Sequence, residues 1–86
     1  TRVLIDNNTA DRATIIDVFT HDKTGLLYTI TQCLHDLKLQ IAAAKVGTYL
    51  DQVVDVFYVT NVDGKKIRSE QRIDKIKTTL LERINS

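Results

Sequence analysis

Asp22 and Gly25 are the two residues around which this sequence could build a binding site. They lie in the stretch His21-Asp22-Lys23-Thr24-Gly25-Leu26-Leu27, which follows a β-forming run, Ala13 to Thr20, and precedes a helical pattern, Leu26 to Lys38. Gly25 can take a backbone conformation that a side chain would disfavour. The first N–H groups of the helix after it have no partner inside the helix, and together with the helix dipole they suit a carboxylate. Asp22, at the strand end, suits an ammonium. A site offering both at close range matches the two charged ends of a free amino acid. The plainer alternative is that Asp22 or Thr24 caps the helix and that Gly25 only makes the turn.

Other reactive residues are few. His21 sits in the same stretch; His35 reads as a solvated helix residue, and Cys33 as a small buried thiol. Two histidines and one cysteine supply no metal set, no disulfide and no nucleophile–base pair. No cofactor and no stand-alone enzymatic activity is therefore expected. The basic stretch of Lys65, Lys66, Arg68, Arg72, Lys75 and Lys77 admits a phosphate or nucleic-acid role. A solvated helix face balanced by Glu70 and Asp74 accounts for it more simply. A net charge of +1 argues against a dedicated nucleic-acid binder. That alternative would also need Phe57 and Tyr58 exposed for base stacking.

The elements that must position these residues follow from the pattern of the chain. Eighty-six residues, 43% hydrophobic and 27% charged, make one small globular domain. Such a chain buries only about two thirds of its unfolded surface and gains from a partner. No apolar run approaches the roughly 20 residues that cross a membrane, and no signal-peptide pattern is present, so a cytoplasmic location is expected. The chain contains no methionine, and the expectation is a domain, residues 1–86, taken from a larger protein. Val3-Leu4-Ile5 is β-prone and is joined by a polar loop to the run at Ala13–Thr20, which predicts an antiparallel hairpin. In that second run Ile16 and Val18 share one face. Ile15, Asp17 and Phe19 share the other, and Phe19 predicts that this wetter face is covered by a partner. Leu27, Ile30, Leu34 and Leu37 form one apolar stripe on the first helix, flanked by Cys33.

Leu39 to Leu50 is β-prone, and its Ala42-Ala43-Ala44 leaves room for another backbone, a ligand or tight packing beneath the helices. Asp51-Gln52 is a tight turn. Val53 to Thr60 reads as a central strand, interrupted by Asp55. Asp63-Gly64 marks the next turn. Ser69 is a fair N-cap for a second amphipathic helix carrying Ile73, Ile76, Leu80, Leu81 and Ile84. The order strand, strand, helix, strand, strand, helix is the split-βαβ plan with its last strand missing. The N-terminal strand can take the vacant place. The fold class is therefore α+β: a ferredoxin-like two-layer sandwich with a four-stranded antiparallel sheet and two helices on one face.

On Asp22-Lys23-Thr24-Gly25-Leu26-Leu27, Leu39-Gln40-Ile41-Ala42, Asp55-Val56-Phe57-Tyr58-Val59-Thr60 and Gly64-Lys65-Lys66-Ile67, the sequence resembles the ACT domain. This is a small regulatory module that binds amino acids in metabolic enzymes. The resemblance runs from Ala13 to about Ile84. The usual family motif is Asp-Arg-Pro-Gly-Leu-Leu; here Lys23 stands for the arginine and Thr24 for the proline, leaving the loop less rigid. The later strings are similar to the final ACT domain of the bacterial PII uridylyltransferase/uridylyl-removing enzymes. The resemblance implies a nucleotidyltransferase parent acting on the PII signalling protein, with glutamine as the sensed ligand. It also implies a ligand site at Thr20, Asp22, Lys23, Thr24, Gly25, Leu26, Leu27 and Gln40. Asp22 would hold the ammonium, the backbone at Gly25 and Leu26 the carboxylate, Thr20 would line the pocket, and Gln40 would reach in from a neighbouring domain. The implied partners are a small amino acid, a second ACT domain in cis or in a homodimer, and other domains of the parent enzyme. Neither nucleic acid nor membrane is expected. The alternative is an ACT-like domain that dimerises or docks without a ligand.

Overall fold

The computed structural model describes residues 1–20, 25–50 and 52–85. Its elements are β1 (Arg2–Asp6), β2 (Thr14–Phe19), α1 (Leu26–Asp36), β3 (Leu39–Tyr49), β4 (Gln52–Asn61) and α2 (Glu70–Asn85). The strands form one sheet in the order β1-β2-β4-β3, every neighbouring pair antiparallel. β1 fills the place of the missing last strand, and the architecture is the predicted ferredoxin-like sandwich.

Alternation along the strands decides the two faces. Val3, Ile16, Val18, Phe57 and Val59 form one buried layer, and Ile30, Cys33 and Leu34 of α1 and Ile76, Leu80 and Ile84 of α2 close it. Full burial of each large aliphatic side chain contributes roughly 1.5–3 kcal/mol. α1 packs on β3 and α2 on β1, with the helices touching each other. The apolar stripe of α1 differs from the predicted one at its start. Leu26 is buried and Leu27 is 56% exposed. Leu26, Ile30, Cys33, Leu34 and Leu37 satisfy the three-and-four spacing as well as a stripe through Leu27 does, and the packing selects the former.

α1 ends at Asp36 rather than Lys38. The Leu37 N–H still donates to Cys33 O, but Lys38 turns left-handed at φ 64. That turn drops Leu39 into the core at the start of β3. At the other end of the hairpin, the bend comes at Leu50, with φ 49, and Gln52 already belongs to β4; Asp51 lies outside the described residues. The second helix begins as expected: Ser69 O accepts from Ile73 N, and Ser69 Oγ from Arg72 N at 3.4 Å.

On the face away from the helices the chain covers Phe19 itself, while Leu4 there is 42% exposed. Ile15, Phe19 and Val54 are nearly buried there. The Arg2 guanidinium lies 4.5 Å from the centre of the Phe19 ring, and Tyr49 meets the same ring edge-on. Lys45 lies 5.0 Å over Tyr58. These cation–π and aromatic contacts do within one copy what the sequence predicted a partner would do for Phe19.

Candidate ligand site at the exit of the second strand

β2 delivers the chain to Thr20, whose hydroxyl hydrogen-bonds that of Thr1 at 3.1 Å. His21, Asp22, Lys23 and Thr24 lie outside the described residues, so the roles expected of Asp22, Lys23 and Thr24 rest on sequence. The structure takes up again at Gly25, the N-cap of α1, in a left-handed conformation at φ 77. A glycine brings no side chain to cap the helix, and the first turn contains no acidic residue. The Gly25 carbonyl accepts from Thr29 N at 2.9 Å and from Thr29 Oγ1 at 3.1 Å. The opening N–H groups of α1 are thus left to whatever stands before the helix. Leu26 anchors this turn in the core, while Leu27 and Tyr28 are 56% and 71% exposed.

Gln40 is not part of this constellation within one copy. It pairs with Thr60, whereas Phe19, at the exit of β2, pairs with Val54. Six residues of strand separate those rows, about 20 Å at the usual rise. Gln40 is exposed, and its Nε2 donates to Val62 O at 3.3 Å.

β3 is the edge strand beside β4, and Gln40 to Val46 are all exposed. The three alanines therefore do not pack beneath the helices. Ala42 is the extra residue of a bulge: Ile41 faces Val59 and Ala43 faces Tyr58. The bulge reverses the alternation, so Ala44, Val46 and Thr48 share the helix side with Ile41. Phe57 is 1% exposed, which removes it as a base-stacking residue. Asp55 is half-buried and engaged in an interaction.

The family described as "ACR9-like, ACT-like domain" matches residues 2–86. The chain belongs to the ACT-like domain family. Curated relatives of this ACT-like chain include the bifunctional uridylyltransferase/uridylyl-removing enzymes of Azospirillum brasilense, Gluconobacter oxydans and Rhodospirillum rubrum. The first is 46% identical over 80 residues, covering 93% of this chain and 9% of the relative. The second is 42% identical over 85 residues, 99% of this chain and 9% of the relative. The third is 39% identical over 79 residues, 92% of this chain and 8% of the relative. The ACT-like chain thus spans less than a tenth of the length of these enzymes. No solved structure matches it significantly. Among the described residues, no helix is long and apolar enough to cross a membrane.

Proposed function

We propose that the chain is an amino-acid-sensing regulatory domain of a longer cytoplasmic enzyme, and that it binds glutamine to control uridylylation and deuridylylation of PII by that enzyme. In this reading residues 1–86 are a non-catalytic module working with a second ACT domain and with the other domains of its parent. The observation that carries it is the start of α1: a left-handed Gly25 opening a helix three residues after Asp22 in the sequence. Kinship with uridylyltransferase/uridylyl-removing enzymes supports the choice of parent, and nitrogen sensing then favours glutamine.

The ligand site is completed by a second copy or a second ACT domain. β3 is eleven residues long with a free edge, and such an edge invites strand pairing. An antiparallel two-fold pairing centred on Ala44, with the bulge at Ala42 counted, would set Gln40 of a second copy opposite Gly47. Gly47 pairs with Val54, level with Phe19 at the exit of β2.

Calorimetric titration of the chain with glutamine tests this. The account expects saturable binding, weakened about ten- to a hundredfold by Asp22→Asn, the order of a hydrogen bond to a charged group. Unchanged affinity in that variant would remove Asp22 from the site. A ligand-free docking role is the second reading, favoured by the exposed Val46, Tyr49, Leu50 and Val53 at the β3–β4 end. It predicts association without any heat of glutamine binding.

A further inference from the structure

The basic stretch after β4 does not act as a unit. Arg72 turns inward, where Nε donates to Asn61 Oδ1 at 3.1 Å and Nη2 to Leu37 O at 2.7 Å. Lys66 Nζ donates to Asn7 O at 2.6 Å. Lys65 and Arg68 are exposed and meet Arg12, from the loop between β1 and β2, around a cleft of about 250 Å³. Asp11, Gly64 and Lys66 complete its lining. Four cations thus face one carboxylate in a chain whose net charge is only +1. Among the described residues, the side chains of Arg12, Lys65 and Arg68 have no hydrogen-bond or ion-pair partner.

The two loops that carry these cations are fixed to each other. Thr14 Oγ1 donates to Asn7 Oδ1 and accepts from Ile67 N, while Asn7 Nδ2 donates to Ile67 O at 2.7 Å. Gly64 turns at φ 81, its N–H bonded to Asn61 O, and Asn61 N donates to Lys65 O. Like charges held close on a fixed backbone frame repel one another, and a bound anion relieves that repulsion at the cost of ordering the exposed side chains.

The geometry points to a binding site for a compact phosphate-class polyanion, such as pyrophosphate, in the cleft between Arg12 and Lys65–Arg68. Arginine forks match phosphate oxygens. A volume of about 250 Å³ lies below the roughly 300–1,000 Å³ of pockets for larger ligands. No aromatic side chain lines the cleft, so a nucleobase has nothing to stack on. The site is independent of the one at Gly25, because Thr14 and Phe19 mark opposite ends of β2.

The test is an amide NMR titration of the chain with sodium pyrophosphate, orthophosphate and adenosine diphosphate, sodium chloride holding the ionic strength constant. The expected result is saturable pyrophosphate shifts confined to residues 11–12 and 64–68, with adenosine diphosphate binding no more tightly. The Arg12→Gln/Arg68→Gln double variant should lose at least about tenfold in affinity, and Lys65→Gln should lose less. Linear shifts spread over the lysines of α2, or unchanged affinity in the double variant, would overturn the proposal. If the double variant failed to fold, the wild-type shift map and Lys65→Gln would still decide.

Discussion

Gly25 and Asp17 show how single residues set the terms of this fold. Gly25 stands at φ 77, yet among the described residues a Cβ built on it would meet nothing within 4 Å. Gly25→Ala therefore costs backbone strain alone, about 1 kcal/mol. That lowers Tm by about 4–8 °C in a domain of this size. A thermal melt at or above the wild-type temperature would show that the glycine serves another purpose. Asp17 lies half-buried on the helix-free face, level with Leu4 and Val56. Burial, and then the nearby Asp6, push its pKa above the usual 3.8. A carboxyl whose folded pKa is raised binds its proton more readily in the folded state, so ionised Asp17 opposes folding at neutral pH. Asp17→Asn should accordingly raise Tm near neutral pH. The gain should shrink as pH falls through the raised pKa and vanish below about 3.8. A gain that held constant in acid would contradict this. Residue type pointed to Gly25 because glycine tolerates the left-handed backbone it adopts here. Residue type did not reveal Lys38 or Leu50, whose left-handed backbones answer to chain reversal and not to any side-chain preference.

The elements were legible wherever their periodicity ran unbroken. β2 and both helices read directly from spacing, and β1 from the hairpin it must form. β3 read as a strand from its β-prone residues, but the side each of them faces did not, because the bulge at Ala42 exchanges its faces midway and erases the period of two. Long-range polar links were equally hidden. Thr14 is fully buried, and its hydroxyl joins the loop after β1 to the segment between β4 and α2 through Asn7 and Ile67. Thr14→Val keeps the shape but removes the partner of the Ile67 N–H and of Asn7 Oδ1. An unsatisfied buried group costs about 1–3 kcal/mol, a large share of the roughly 5–15 kcal/mol that holds a domain folded. Chemical denaturation should report that loss at an unchanged m-value. A variant within about 0.5 kcal/mol of wild type would mean that the link is replaced at no cost.

At the scale of the molecule, the ligand reading depends on two distant places coming together. One copy keeps the exit of β2 and Gln40 at opposite ends of its sheet, and only a second domain along the free edge of β3 brings them within reach. The resemblance named Asp22 and Gln40 as the two halves of the proposed site, but spacing along the chain carries no information about which copy would contribute which half. The most direct measurement mixes two crippled variants, Asp22→Asn and Gln40→Ala, and titrates the mixture with glutamine by calorimetry. Each mixed dimer rebuilds one intact site, from the Asp22 of one copy and the Gln40 of the other. Random pairing should therefore restore wild-type affinity at about a quarter of all sites. A mixture that binds only as the sum of its two variants, or a wild-type chain that takes up no glutamine, would contradict a shared amino-acid site.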